Sequence, residues 1–347
     1  MRIEAIGPRG ADVRQVLEQL IDKRDLSPGQ AQDLFTRIMA GQLGPAQIAA
    51  ALTALAAKGE TAEEIPGAAL ALRACVTPIC CPADAIDTCG TGGDGISTFN
   101  VSTTAALIAA AAGVTVAKHG NRSHSRVSGS AEVLRELGVN IDADVPTVER
   151  CLEQAHIGFL FAPALHPAMK HAGPVRKALG IRTLFNLLGP LVNPAGVRRQ
   201  VIGVPRAALT ETLAAVLAEL GSRHVWVVHG WDGLCDLTIT GPTRVTEMKA
   251  GQFATFEVTP ADVGLTVAPL DALRVDSPAA SAARVRDILA GTPGPCRDHA
   301  VLNAGAAILI GGRAGDLPAA VAVAQTAIDS GAAATTLQAL GQLSHGG

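Results

Sequence analysis

A stretch rich in glycines and hydroxyls, DTCGTGGDGISTFNVST, occupies residues 87–103. Its glycines allow the backbone to approach a ligand closely. Five polar side chains follow where a helix is predicted to begin: Ser97, Thr98, Asn100, Ser102 and Thr103. Free amides and the dipole at the N-terminus of a helix attract anions. The stretch therefore indicates a phosphate-binding loop, although a glycine turn followed by a capping cluster would have the same composition.

This loop lacks the lysine of a Walker A motif, which excludes that class of nucleotide site. It contains an acid, Asp94, among its glycines. A carboxylate beside a phosphate site indicates a ligand that also presents hydroxyls or brings a metal ion.

A second polar segment, KHGNRSHSRVSGSAEVL, begins at Lys118 directly after another predicted strand. Ligands of open α/β sheets bind at the carboxyl ends of the strands. Two strand-to-helix loops that both offer anion donors favour a shared phosphorylated ligand over two solvated loops.

Two further segments carry charged residues that could bind a carboxylate or a divalent cation. Arg176 and Arg182 lie in PVRKALGIRT, and an arginine fork suits a carboxylate. Asp232 and Asp236 lie in HGWDGLCDLTITGPTRV, where a divalent cation could bind, although an Asp-Gly turn is the simpler interpretation.

The composition is that of a soluble globular protein. The chain has 347 residues, of which 48% are hydrophobic and 17% charged, so two domains are expected. Its net charge of −3 is unsuited to neutralising a nucleic-acid backbone. Seven cysteines without CxxC spacing, and an N-terminus, MRIEAIGPRG, without an apolar stretch, predict a cytoplasmic protein.

Helical patterns fill residues 13–74, with Ser27 and Thr61 at predicted N-caps. Strands and helices alternate after residue 77, which predicts a mostly parallel sheet. We expect an α/β fold: a small all-helical domain plus a larger α/β domain whose central sheet is flanked by helices. The predicted boundaries are 1–76 for the helical domain, with 166–194 packing back onto it, and 77–165 with 195–347 for the α/β domain.

Together these segments resemble the anthranilate phosphoribosyltransferases, within the nucleoside phosphorylase-like family of phosphoribosyltransferases. The most specific features are GTGGD with NVST, KHGNR and RTLFNLLGPLVNP, and the resemblance spans nearly the whole chain. It implies a homodimer formed through the helical domain, with the active site in the cleft at the hinge. It also implies that anthranilate attacks C1 of 5-phosphoribosyl 1-diphosphate in the presence of Mg²⁺, a step of tryptophan biosynthesis.

The resemblance implies roles for particular residues, all of them in positioning rather than in proton transfer. Residues expected to bind phosphoribosyl diphosphate are Gly90, Gly93, Asp94, Thr98, Asn100, Ser102, Thr103, Lys118, His119, Gly120, Asn121, Arg122, Ser123, His124, Ser125, Arg126 and Ser130. Anthranilate is expected to contact Gly90, Asn121 and Arg176. Ser102 and Asp236 are expected at magnesium.

The chain departs from the pattern of these enzymes at three places. Cys235 and Asp236 stand where an Asp-Glu pair is usual, and a thiol is a poor ligand for magnesium, so the number of metal ions is open. Arg126 and Val127 stand where a small residue followed by lysine is common, and Ser281 replaces a common asparagine.

Three other functions remain open from the sequence. The chain could be a non-enzymatic relative that binds nucleic acid, although its charge opposes this. It could be a pyrimidine nucleoside phosphorylase, or a phosphoribosyltransferase with another acceptor.

Overall fold

The computed structural model describes residues 12–123 and 126–346. The N-terminal segment MRIEAIGPRG and the predicted ligands His124 and Ser125 lie outside this range. The chain divides into a helical unit, Met1–Cys75 with Ala168–Leu188, and an α/β unit, Val76–Pro167 with Gly189–Gly347. The predicted limits of 76 and 166–194 differ from these by a few residues, and as boundaries of separate domains they stay a prediction.

The elements alternate between the two units along the chain. The helical unit first supplies α1 (Val13–Ile21), α2 (Pro28–Met39), α3 (Pro45–Lys58) and α4 (Glu64–Arg73). The α/β unit follows with β1 (Ile86–Gly90), α5 (Val101–Ala111), β2 (Val116–Gly120), α6 (Ser130–Glu136), α7 (Val145–Gln154), β3 (Ile157–Phe161) and α8 (Ala162–Leu165). The chain returns to the helical unit for α9 (Met169–Leu179) and α10 (Phe185–Leu188). It ends in the α/β unit with β4 (Arg199–Gly203), α11 (Leu209–Glu219), β5 (His224–Gly230), β6 (Thr243–Lys249), β7 (Gln252–Val258), α12 (Pro278–Leu289), α13 (Pro295–Ile310), α14 (Leu317–Asp329) and α15 (Ala332–Ser344). No helix in this described part of the chain is long and apolar enough to cross a membrane.

Capping residues set where the N-terminal helices begin. Ser27 caps α2 as predicted, in a capping box in which Ser27 Oγ accepts from the amide of Gln30 and Gln30 accepts from the amide of Ser27. The prediction for Thr61 was wrong, because Glu63 occupies the N-cap position of α4, although its side chain makes no capping hydrogen bond. The amide of Thr61 donates to Glu64 Oε2 at 3.0 Å, and its carbonyl oxygen accepts from the Ile65 amide at 3.2 Å, so Thr61 lies in the turn that leads into α4.

The α/β unit is built on a seven-stranded sheet of order β3-β2-β1-β4-β5-β6-β7 among the residues described. The pairs from β3 through β5 are parallel, as the alternation of strands and helices predicted. Strands β6 and β7 form an antiparallel hairpin at one edge. The hairpin turns at Ala250 and Gly251, which have φ of 49° and 81°. Because alanine seldom adopts positive φ, this turn carries little sequence signal.

Helices cover both faces of the parallel strands. Successive residues of a strand point to opposite faces, and Val116 of β2 packs in the core cluster that contains Ala106 of α5, whereas Ala117 packs with Leu152 of α7. The strands β1, β2, β4 and β5 end at the same edge, so the loops that follow them converge there.

Candidate functional site

The predicted ligands of the phosphorylated substrate lie at the carboxyl edge of the sheet. Gly90 ends β1, the loop 91–100 follows it, and Ser102 and Thr103 lie in the first turn of α5. Lys118, His119 and Gly120 end β2, and Ser130 begins α6. The structure thus brings the glycine-rich loop and the KHGNRS segment to neighbouring parallel strands, which is the arrangement that the sequence predicted.

Lys118 is buried beneath the start of α5. Its Nζ donates to the carbonyl oxygen of Thr88 at 2.6 Å and lies 3.4 Å from Ser102 Oγ. Burial lowers the pKa of Lys118, against the opposing charges of Asp87 and Asp236. The Lys118 amino group therefore lies beside the hydroxyl that is predicted to contact magnesium.

Asn100 joins the start of α5 to two other segments. Its backbone amide donates to Ser281 Oγ at 3.0 Å, and its side-chain amide donates to the carbonyl and hydroxyl oxygens of Ser128 at 3.4 and 3.3 Å. Thr103 Oγ1 donates to Asn100 Oδ1 at 3.3 Å. Ser281, whose departure from the related enzymes the sequence did not explain, is thus the acceptor that satisfies the Asn100 amide.

Asp94 is enclosed by hydrogen-bond donors. Its Oδ1 accepts from the Ile96 amide at 3.3 Å and from Arg126 Nε at 2.8 Å, and its Oδ2 accepts from the Cys235 amide at 3.1 Å and from Arg126 Nη2. Burial would raise the pKa of Asp94, but the Arg126 hydrogen bonds and charge outweigh it and lower that pKa. Asp94 therefore faces an internal arginine and remains ionised.

Asp236 and Cys235 lie in the turn 230–236, beside the same arginine. Asp236 Oδ2 is 3.8 Å from Arg126 Nη2 and has no hydrogen-bond partner among the residues described. Burial raises the pKa of Asp236 to about 7, against the opposing charge of Arg126. Burial and the charge of Asp94 also raise the pKa of the Cys235 thiol, which keeps it protonated near neutral pH.

Asp232 stabilises this turn through three hydrogen bonds. Its Oδ2 accepts from the hydroxyls of Thr238 and Thr240 at 2.6 and 2.7 Å, and its Oδ1 accepts from the Leu234 amide at 3.0 Å. The simpler interpretation of HGWDG, an Asp-Gly turn, therefore describes Asp232 better than a metal ligand does.

The side chain of His119 points away from the loop that follows β2. Its Nδ1 is 3.2 Å from the carbonyl oxygen of Gly189, and its Nε2 is 3.0 Å from His166 Nε2. Burial lowers the pKa of His119 to about 3 and that of His166 to about 4. Both rings are neutral at pH 7, so any contact of His119 with an anion would come from its backbone.

Several polar contacts hold the loop after β2 in its own conformation. The Asn121 carbonyl accepts from Ser130 Oγ at 3.2 Å, and Ser123 Oγ accepts from the Arg126 amide at 2.8 Å. A Cβ on Gly120 would overlap Ser130 Oγ, which explains glycine there. The Arg122 guanidinium lies 5.7 Å from the centre of the Phe161 ring.

Arg176 belongs to the helical unit, on α9. Its guanidinium stacks over the ring of Phe185, 4.9 Å from the ring centre, and burial lowers the pKa of Arg176. The stacking presents a guanidinium held in one orientation, which suits a carboxylate.

Magnesium fits one of the two predicted metal positions. Mg²⁺ usually takes one or two protein oxygens together with substrate phosphates, and Ser102 Oγ is such an oxygen. The turn 230–236 does not fit, because it offers a thiol, a carboxylate facing arginine, and an acid already bound to two threonines. The described ranges 12–123 and 126–346 contain no group of three or more His, Cys, Asp or Glu residues placed to hold a metal ion.

The sequence interpretation missed several residues that shape this edge. Asn303 on α13 accepts from the Leu237 amide at 3.1 Å and donates to the Leu237 carbonyl at 2.8 Å, which fixes the exit of the 230–236 turn. Ser128 binds the Asn100 side chain. A lone amide in the apolar run VLNAGAAIL was the available signal for Asn303, whereas Ser128 gives no signal among so many serines.

Two family models match the chain. Residues 82–334 match the a/b domain of the glycosyl transferase family, and residues 14–76 match its helical bundle domain. An anthranilate phosphoribosyltransferase of Rhodopseudomonas palustris is 49% identical over 329 residues, covering 95% of this chain and 97% of that protein. One of Roseiflexus is 50% identical over 337 residues, covering 96% and 99%.

Solved structures agree with these matches. The crystal structure of anthranilate phosphoribosyltransferase from Thermus thermophilus has a TM-score of 0.89 at 40% identity, covering 95% of this chain and 99% of that one. The enzyme from Saccharomyces cerevisiae in complex with PRPP and Mg has a TM-score of 0.88 at 26% identity, covering 96% and 98%.

Proposed function

Since the chain belongs to the glycosyl transferase family, as one of its anthranilate phosphoribosyltransferases, we propose that it transfers the phosphoribosyl group of 5-phosphoribosyl 1-diphosphate to anthranilate. The products are N-(5-phosphoribosyl)anthranilate and diphosphate, and the step belongs to tryptophan biosynthesis. The observation that carries this assignment is the convergence of GTGGD, the start of α5 and Lys118 at one edge of the sheet.

Phosphoribosyl diphosphate is proposed to bind where backbone amides, hydroxyls and cations converge. The glycine-rich loop and the first turn of α5 supply amides and the helix dipole, which favour a phosphate. Lys118 and Arg122 add positive charge from the neighbouring strand end. The proposed contacts are those predicted from the sequence, with the side chains of Asp94, His119 and Arg126 excepted because they are engaged inside the protein.

Magnesium is proposed to enter with the diphosphate and to be held at Ser102. When bound, the ion would neutralise charge on the diphosphate and make it a better leaving group. Lys118, 3.4 Å from Ser102 Oγ, orients that hydroxyl and contributes a second positive charge.

The chemistry requires positioning more than proton transfer. The ribosyl carbon passes through an oxocarbenium-like state, so acceleration comes from holding the acceptor nitrogen near C1 and from stabilising the departing charge. The aniline nitrogen becomes acidic as its bond to C1 forms and loses its proton late. A strong general base is therefore not required.

Anthranilate is proposed to bind through Arg176, Asn121 and the backbone at Gly90. The Arg176 guanidinium, held over Phe185, would face the carboxylate of the acceptor. Asn121 has an exposed side chain at the start of its loop, where it can reach a ligand.

The assignment is tested by following the loss of anthranilate fluorescence with phosphoribosyl diphosphate and Mg²⁺, and by identifying the product by mass. Consumption should stop when EDTA is added and resume when Mg²⁺ is restored. Consumption without phosphoribosyl diphosphate, or none under any divalent cation, would refute the proposal. Parallel assays with pyrimidine nucleosides plus phosphate, and a DNA gel shift, test the alternatives, and both should be negative.

A homodimer and a cytoplasmic location are also proposed. Leu70 on α4 and Ile21 on α1 are large apolar residues of the helical unit with 43% and 71% of their surface exposed, and the proposed homodimer would bury Leu70 between the two copies. Leu70→Glu should shift the mass measured by light scattering from dimer to monomer, whereas Val267→Glu in the α/β unit should not.

A further inference from the structure

One arginine lies between two buried acids at the edge of the sheet. The Arg126 guanidinium binds both oxygens of Asp94, whose side chain has no exposed surface, and its Nη2 lies 3.8 Å from Asp236 Oδ2. Asp94 belongs to the glycine-rich loop and Asp236 to the 230–236 turn. Arg126 therefore joins three segments: these two and its own loop after β2.

The oxygens of Asp94 are fully used by this arrangement. Each accepts one bond from Arg126 and one from a backbone amide, that of Ile96 or that of Cys235. A divalent cation could bind Asp94 only by displacing the guanidinium.

The 230–236 turn offers little else to a hard cation. Asp232 is bound to Thr238 and Thr240, and Cys235 presents sulfur where Mg²⁺ or Mn²⁺ prefers oxygen. The small cavity beside Cys235 and Asp236 has a volume of about 10 Å³. It is lined by the apolar side chains of Ala105, Val201 and Val228 and by the neutral polar side chains of Thr88, Ser102 and Asn303, so it offers no further carboxylate to a cation. Asp236 is thus left with arginine as its nearest counter-charge.

We propose that the Arg126 guanidinium takes the place of a divalent cation at the 230–236 turn, holding that turn to the glycine-rich loop, so that the protein itself binds no metal ion there. It follows, given the proposed function, that a single Mg²⁺ accompanies phosphoribosyl diphosphate at Ser102. The three segments are then held together by the charge of Arg126, and this interaction does not depend on the concentration of free Mg²⁺.

The first experiment uses Mn²⁺ alone, with binding measured by loss of the electron paramagnetic resonance signal of free Mn²⁺. The wild-type protein should bind none at the turn. The double variant Arg126→Ser/Cys235→Asp, which removes the cation and adds a carboxylate, should bind about one Mn²⁺ per chain. Mn²⁺ should also raise the melting temperature of the double variant by at least about 2 °C and leave that of the wild type unchanged.

A matched control removes an arginine that lies elsewhere in the same unit. Arg135 on α6 forms an exposed ion pair with Asp142 at 3.3 Å, so Arg135→Ser/Cys235→Asp should behave like the wild type. Circular dichroism establishes that each variant is folded. Binding of Mn²⁺ by the wild type that is abolished by Asp236→Asn, or a folded double variant that binds none, would overturn the proposal.

The single variant Cys235→Asp keeps the proposal testable if the double variant does not fold. With Arg126 in place, Cys235→Asp should still bind no Mn²⁺, and binding would overturn the inference. In a second arm with phosphoribosyl diphosphate, the wild type should hold about one Mn²⁺ per chain, after subtraction of the protein-free mixture. Turnover of anthranilate with two bound Mn²⁺ would overturn this inference alone, whereas absence of turnover would overturn the proposed function alone.

Discussion

The backbones of Gly203 and Cys235 pack against each other so closely that a Cβ on Gly203 would overlap the carbonyl oxygen of Cys235. Gly203 ends β4, and Cys235 lies in the turn that follows β5. The amide of Cys235 donates to Asp94, so this contact also sets the position of the glycine-rich loop. Glycine is therefore needed at the end of β4 both for the packing of the sheet and for the position of the glycine-rich loop.

Gly203→Ala should push the 230–236 turn away from β4. Overpacking of this kind costs about 1–3 kcal/mol of unfolding free energy. Because the displaced turn also carries the Cys235 amide away from Asp94, kcat/KM should fall at protein concentrations where the variant is fully folded. Urea unfolding and anthranilate kinetics measure the two effects.

Gly241→Ala is the control for Gly203→Ala. A Cβ at Gly241 meets no atom within 4 Å, so this variant should keep both its stability and its activity. Equal losses in the two variants would show that the effect of Gly203→Ala is not a clash with Cys235.

The fold was largely predictable because strands and helices alternate with regular apolar patterns after residue 77, and because motif residues follow the strands. The side chains that contact the motif residues could not be predicted in the same way. Arg126 was predicted to bind phosphoribosyl diphosphate, and this stays a prediction. In the structure its guanidinium hydrogen-bonds Asp94 and lies 3.8 Å from Asp236, which are 32 and 110 residues away in sequence. Such pairings depend on loop conformation, and loop conformation has no periodic signal.

Similar limits apply to single residues. The inward turn of His119 depends on the position of His166, which is far away in sequence and close in space. Ser281 is recognisable as an acceptor only once the buried amide of Asn100 is known to lie beside it. In both cases the sequence identified the position as unusual or polar, and packing decided what the side chain does.

Lys118→Met should weaken the binding of phosphoribosyl diphosphate. Lys118 Nζ lies 3.4 Å from Ser102 Oγ, where the diphosphate is proposed to bind, and loss of a charge-assisted hydrogen bond to the substrate costs about 1.5–3 kcal/mol of binding free energy. The KM for phosphoribosyl diphosphate should rise about 10- to 100-fold, with a smaller change for anthranilate.

Lys249→Met, at the exposed end of β6, is the control for Lys118→Met and should leave both KM values unchanged. Lys118 also lies near the buried carboxylate of Asp87. A lowered melting temperature with unchanged substrate KM values would therefore assign Lys118 a structural role only.

Arg176→Ala should raise the KM for anthranilate far more than that for phosphoribosyl diphosphate. A guanidinium that binds a carboxylate contributes about 1.5–3 kcal/mol, which corresponds to about a 10- to 100-fold rise. Lys177→Ala, the exposed neighbour on α9, should change neither KM. Equal rises for both substrates would indicate that Arg176, stacked on Phe185, organises its unit and does not bind the acceptor.

His299 on α13 should make the protein less stable in acid. The ring is fully buried against Phe99, and neither nitrogen has a hydrogen-bond partner among the described residues. Burial lowers the pKa of His299 to about 4, below the value of about 6.5 in an unfolded chain. As pH falls from about 6.5 to 4, His299 binds a proton in the unfolded state but not in the folded state. The free energy of unfolding therefore decreases by about 1.4 kcal/mol per pH unit.

His299→Leu should remove this dependence and also the cost of burying two unpartnered nitrogens. Its unfolding free energy relative to the wild type should grow as pH falls from about 6.5 to 4, at about 1.4 kcal/mol per unit, in urea titrations at several pH values. His299→Gln also lacks the titrating group but keeps a buried amide, so it should show the same slope at lower stability. A difference between wild type and His299→Leu that stays constant across this pH range would mean that His299 does not remain neutral in the folded protein.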